Sequence, residues 1–221
     1  MSGLAAGEVG RTGEPGGLRL VLARHAQTAS NLRMALDSSP PGPPLTDEGH
    51  GQATALARAL AGEPVVAVYA STALRAQQTA APIAATHGLP VEVVTGMHEA
   101  FVGDLEGRSD HESLRRFFAV FSTWLAGDVD VPMPGGETAR QVMARCERAI
   151  GELRLRHSSG VVVLVSHSAL IRLVTPTLVS NDIPTRTRRR ALPNTGRVVL
   201  AHDPESPTGW RCVEWTGAHL A

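Results

Sequence analysis

Three short runs of consecutive apolar residues punctuate the chain: Leu20-Val21-Leu22-Ala23, Val65-Val66-Ala67-Val68-Tyr69 and Val161-Val162-Val163-Leu164-Val165. They are continuous rather than alternating, which predicts strands covered on both faces. Helical patterns lie between them. Thr46 is placed to cap a helix that carries Asp47 and Glu48 in its first turn and runs to Leu60. Ser71 is placed to cap a second helix through Ala84, with a short strand at Val91–Val94 after it. Residues 137–156 and 168–179 read as two more helices, and Arg197–Ala201 with Arg211–Trp215 as a terminal hairpin. Strands alternating with helices imply an α/β fold, a three-layer α/β/α arrangement around a mostly parallel sheet. Residues 1–17 are Gly-rich without apolar period and are expected to be a disordered tail, leaving 18–221 as a single domain. The Pro-rich stretch 40–44 is too short for a linker and is expected to form a stiff loop at a site rim.

In an open parallel sheet, ligands bind beyond the carboxyl ends of the strands. The first strand ends in Arg24-His25, the second runs into Ser71 with Arg75 a turn later, and the third ends in Ser166-His167. Singly, each residue reads as an ordinary structural histidine or surface arginine. Together they put two arginines and two histidines at one desolvated edge, an arrangement without purpose unless an anion sits there. The chemistry suits a phosphoryl group. A neutral imidazole can attack phosphorus, and guanidinium groups bind phosphate oxygens through paired hydrogen bonds. A leaving alkoxide needs a proton, for which Glu99 is the best candidate, with Glu106, Asp104 and His98 as rivals in the same segment.

Composition narrows the field. The chain has 221 residues, 43% hydrophobic and 19% charged, with formal net charge zero, which argues against nucleic-acid or membrane partners. All 21 cationic side chains are arginine. A lysine P-loop and Schiff-base chemistry are therefore excluded, and any phosphate must be held by guanidinium or imidazole. Cys146 and Cys212 have no ligand-like or disulfide-like spacing. No signal peptide or membrane span is read, so a cytoplasmic location is the default expectation.

The ordered set of motifs resembles the histidine phosphatase superfamily, in the branch of phosphoglycerate mutases and small metabolite phosphatases. It runs from Arg24-His25-Ala26-Gln27-Thr28 and Asn31, through Leu45-Thr46 and Ser71-Thr72-Ala73-Leu74-Arg75, to Glu99 ahead of Gly103-Asp104-Leu105-Glu106-Gly107. Pro134-Gly135-Gly136-Glu137-Thr138, Ser166-His167-Ser168 with Ile171-Arg172, and Asn194 complete it. The resemblance implies a phosphoglycerate mutase-like fold and a metal-independent hydrolase without cofactor. It implies His25 as the phosphorylated nucleophile, and Arg24, Arg75 and His167 as ligands of the transferring group. It also implies Thr28, Asn31 and Ser168 as further substrate contacts, and Glu99 as proton donor.

The pattern also departs from the family's. Ala26 and Ser168 stand where the family usually has glycine, so a slightly tightened pocket is expected. The mutase signature after the glutamate is replaced by Ala100-Phe101-Val102-Gly103, and Met34–Pro44 carries no positive charge. Net hydrolysis of a small phosphorylated metabolite is therefore favoured. The alternatives are a mutase-type phosphotransferase and a catalytically weak phosphate-binding or regulatory member. The cluster Arg186, Arg188, Arg189, Arg190 reads as a solvated face, and the Phe117/Phe121/Trp124 stripe as a core or dimer face. Oligomeric state is left open, a homodimer being common for soluble proteins of this kind.

Overall fold

The computed structural model describes residues 17–184, 187 and 189–220, His219 through its backbone alone. The expected tail lies outside them except for Gly17, which is exposed, and so do Arg186 and Arg188. Among the described residues, seven strands form one sheet: β1 (Leu18–Arg24), β2 (Val65–Ala70), β3 (Val91–Val93), β4 (Gly160–Ser166), β5 (Arg197–His202), β6 (Trp210–Trp215) and β7 (Ala218–His219). Their order is β3-β2-β4-β1-β5-β6-β7. The first four in that order run parallel, and β5, β6 and β7 close the other side antiparallel. The sheet is thus parallel where the site lies and antiparallel at the C-terminal end, where the hairpin was expected.

Among the described residues the α-helices are α1 (Ala29–Leu32), α2 (Asp47–Leu60), α3 (Leu74–His87), α4 (His111–Leu125), α5 (Ala139–Arg156) and α6 (Ser168–Leu178). The unbroken apolar run of β1 is explained by two cores. Leu18, Leu20 and Leu22 point into one shared with Phe121 and Trp124 of α4, Val142 and Ile150 of α5, and Leu170 and Val174 of α6. Val21 and Ala23 point into the other, with Leu56 and Leu60 of α2 and Ala76, Ala80 and Ile83 of α3. Period-two side chains on a doubly covered strand must be apolar at every position. Thr46 caps α2 by accepting from the Gly49 N–H, as the sequence predicts. α3 starts later than predicted. Its N-cap is Ala73 without a side-chain cap, because the Ser71 hydroxyl is turned toward His167. No helix among the described residues is long and apolar enough to cross a membrane.

Candidate active site

β4 is the shared neighbour of β1 and β2, and that adjacency assembles the site. Arg24 lies opposite Ser166 and Ala70 opposite Val165, so all three chains leave the sheet at one level. The His25 N–H donates to the Ser166 carbonyl at 2.9 Å, and the Ser71 N–H to Val165 at 3.0 Å. The rings of His25 and His167 consequently stand 5.3 Å apart, tilted by 57°. His25 faces a cavity of about 220 Å³ whose lining also includes Arg24, Thr28, Asn31, Arg75, Glu99 and Ser168.

The hydrogen bonds of the two histidines fix which nitrogen does what. His25 Nδ1 lies 2.7 Å from the Ala26 carbonyl oxygen, which can only accept. Nδ1 therefore carries the proton, and the lone pair is on Nε2. Burial pushes His25 well below the ordinary imidazole range, and the charges of Arg75 and Arg24 push it the same way. The ring is 5% exposed and held neutral, so that its free lone pair can act as a nucleophile. His167 is 1% exposed and sits behind the cavity surface. Its Nε2 is 2.8 Å from Ser71 Oγ, and its Nδ1 is 3.4 Å from Arg75 Nη2. Burial and then Arg75 hold it, too, well below its usual value.

Arg75, in the first turn of α3, is 2% exposed. The loop between α1 and α2 lies across it. Arg75 Nη2 donates to the Asp37 carbonyl at 2.9 Å and Nη1 to Asp37 Oδ1 at 3.3 Å, while Ser30 Oγ donates to Oδ2 at 2.9 Å. The loop must be this close: at Gly42, with φ of +65°, a Cβ would lie 2.3 Å from Arg75 Nη1. Arg24 Nη1 donates to the Leu192 carbonyl at 2.5 Å, its Nε is buried without a partner among the described residues, and burial lowers its pKa. Arg24 and Arg75 both line the cavity, and two guanidinium groups side by side can receive an anion.

Of the four candidate proton donors, Glu99 is the one that lines the cavity. Its Oε1 accepts from the N–H groups of Ala100 (2.9 Å) and Leu170 (3.0 Å), and its Oε2 from that of Ala169 (3.2 Å). The rivals are employed elsewhere. Glu106 accepts from the backbone of Ser38 and Ser39, and Asp104 packs against Gly135. His98 borders a different hollow beside Arg145. Arg145 braces the Glu99 segment, donating to the carbonyls of Gly96, His98 and Glu99 while paired with Glu137.

Thr28 and Asn31 line the cavity and form a capping box for α1. Asn31 Oδ1 accepts from the Thr28 N–H and from Asn194 Nδ2, which leaves its own Nδ2 as the donor for a ligand. The Ala26 Cβ points away from the cavity into a small cluster with Leu45 and Ala53. Neither Ala26 nor Ser168 has positive φ, so the two replacements of glycine strain nothing. The Ser168 hydroxyl accepts from the Leu192 N–H at 3.1 Å and fastens the neighbouring loop.

Sequence reasoning missed three side chains. Ser71 is the partner of His167. Asp37 is the one charged residue between Met34 and Pro44, which could have flagged it. Arg172 lines the cavity, donates to the Arg189 carbonyl at 2.7 Å and lies 4.8 Å over the Phe121 ring. Phe121 and Trp124 are core and Phe117 packs against them, as the stripe predicts; Phe117 also lines the cavity, together with Phe118, which lies outside the stripe.

Residues 20–216 match the model of the histidine phosphatase superfamily (branch 1). A PE-PGRS family protein of Mycobacterium tuberculosis, PE_PGRS11, is 32% identical over 209 residues; these are 88% of this chain but only 35% of that protein, so the chain spans about a third of this relative. An adenosylcobalamin/alpha-ribazole phosphatase of Escherichia coli (strain K12) is 31% identical over 73% of this chain and 79% of its own length. The native structure of a mycobacterial glucosyl-3-phosphoglycerate phosphatase superposes with a TM-score of 0.75 at 26% identity, covering 92% of this chain and all of the other.

Proposed function

The chain belongs to the histidine phosphatase superfamily (branch 1), and we propose that it hydrolyses a small phosphomonoester through a phosphohistidine on His25, without a metal. The observation that carries this reading is the tautomer of His25: with Nδ1–H on the Ala26 carbonyl, the neutral Nε2 lone pair remains for attack beside Arg24 and Arg75. The phosphatases among the relatives support the same chemistry.

In the first step Nε2 bonds to phosphorus, the ester P–O bond breaks, and the leaving alkoxide takes a proton from Glu99. Oε2 is the oxygen suited to that transfer, since it accepts one backbone N–H where Oε1 accepts two. In the second step water attacks phosphorus, Glu99 takes its proton back, and the P–N bond breaks to release phosphate. Arg24 and Arg75 meet the charge on the equatorial oxygens. His167 can join them because Ser71 is a hydroxyl. With the Arg75 guanidinium directed at Nδ1, Nε2–H is donated to Ser71 Oγ, and a ligand that draws Arg75 away would free Nδ1 while Ser71 can turn to donate to Nε2.

The test is phosphate release from p-nitrophenyl phosphate and a panel of phosphorylated metabolites in EDTA, followed by acid quench and mapping of acid-labile phosphate. Turnover with label on His25 is expected. Turnover no greater than that of His25→Ala, or label absent from an active enzyme, would sink the proposal.

A further inference from the structure

The cavity has two chemically distinct halves. Its floor carries Arg24, His25, Arg75 and Glu99 at the strand ends, together with Asp37 from the covering loop. Its outer wall comes from elsewhere in the chain: Leu36 from the α1–α2 loop, Val102 from the segment after Glu99, Phe117 and Phe118 from α4, and Ala191. None of these wall side chains carries a polar atom. The first two segments are stitched together, since the Leu36 N–H donates to the Arg108 carbonyl at 2.8 Å and the Val102 N–H to Ser38 Oγ at 3.2 Å.

Folding does not account for Phe118. It is 56% exposed, touches Phe117 edge-on at 5.3 Å and lies outside the cores. Phe117 is half-buried and stacks on Phe121 at 5.7 Å, which anchors the pair to the rigid interior. A phenylalanine left in solvent at a phosphate site, backed by a fixed aromatic neighbour, offers area to whatever the phosphate is attached to. The charge pattern agrees. A second anionic group on the substrate would meet the Asp37 carboxylate near the floor, and Arg172, the further cation of the lining, is already held by the Arg189 carbonyl and the Phe121 ring.

We infer that this wall is the subsite for the alcohol portion of the substrate, and that it takes the apolar, preferably aromatic, alcohol of a singly phosphorylated ester. The inference rests on the phosphatase reading and narrows its substrate class. An aromatic ring moved from water onto the wall gains affinity on the order of tenfold or more, from partial burial of an apolar side chain's worth of area.

The experiment compares esters whose leaving alcohols are all aliphatic: 2-phenylethyl phosphate, glycerol 3-phosphate and fructose 1,6-bisphosphate. With the full chain, kcat/KM for 2-phenylethyl phosphate should exceed that for the other two by about tenfold, chiefly through KM. In Phe118→Ala, an exposed position whose truncation spares the core, the ratio of kcat/KM for 2-phenylethyl phosphate to that for glycerol 3-phosphate should fall about fivefold, again through KM. Equal use of the three esters, a preference for the bisphosphate, or an unchanged ratio in Phe118→Ala overturns the inference and leaves the phosphatase reading standing. A change in sedimentation of Phe118→Ala without a change in the ratio assigns the wall to a second copy of the chain and also overturns it. Failure to hydrolyse even p-nitrophenyl phosphate removes the underlying reading instead.

Discussion

The floor and the wall of the cavity are built by different rules. On the floor, Arg24 and His25 end β1 and are set by its register with β4, and Arg75 stands in the first turn of α3 just after β2. Glu99 is held by three backbone N–H groups, Asp37 alone coming from the covering loop. The wall is assembled from a Pro-rich loop, a short irregular segment and one face of α4, and no ladder connects them. The floor therefore carries the reaction, which tolerates little misplacement. The wall carries selection, which can vary without disturbing the sheet.

Substitutions on the floor should sharpen this contrast most. His25→Ala is expected to lower kcat by at least about 10⁴-fold on every ester, because no second nucleophile reaches phosphorus. Steady-state rates with several esters check it, and substrate-selective loss would break the division between floor and wall. Glu99→Gln should lower kcat by about 10²–10³-fold for alkyl phosphates. It should cost less for p-nitrophenyl phosphate, whose leaving group needs no proton. A uniform loss across both leaving groups would remove Glu99 as the donor.

Acid should then weaken the floor. His25 and His167 are held neutral in the folded protein, well below the ordinary imidazole value. In the unfolded chain both protonate as pH falls through about 6.5. The unfolded state then binds more protons than the folded one, so stability falls below pH 6.5, by up to about 1.4 kcal/mol per pH unit for each histidine. Thermal melts at pH 7.5 and 5.5 should show this slope, and His25→Gln should flatten part of it. An identical slope in that variant would count against the buried, neutral ring. Smaller still, Ala26→Gly should change kcat/KM by less than about twofold yet lower stability by about 1 kcal/mol, since its methyl packs on Leu45 and Ala53. A large kinetic effect would show that the methyl reaches the ligand after all.

The same contrast explains what could be read from the amino-acid sequence. The doubly covered strands announced themselves as unbroken Val and Leu runs, and the residue types at their ends pointed to an anion-binding edge. Thr46 was legible as a cap because an Asp and a Glu follow it. Ser71 looked like the same signal and is not one, since a hydroxyl near a helix start can serve a distant histidine equally well. Asp37 and the place of Phe117 and Phe118 in the cavity lining were illegible for a different reason. Helical spacing groups Phe117 with Phe121 on one face, but which half of that face meets the core depends on how α4 crosses the sheet. Asp37 reaches Arg75 across 38 residues of chain, through a loop without a period to read.

The contact between Asp37 and Arg75 also makes the free site its own ion pair. A phosphate entering it does not fill a vacant positive hole but exchanges with a carboxylate and a carbonyl already held by the guanidinium. Released inorganic phosphate faces the same competitor, so the enzyme is biased toward letting its product go. Inhibition by inorganic phosphate should accordingly be weak and should tighten a few-fold in Asp37→Asn, which keeps the shape and removes the charge. Unaltered inhibition would mean that the carboxylate moves aside without resistance. Tighter inhibition in Asp37→Asn would make the loop that narrows the choice of substrate also the element that clears the site for the next turnover.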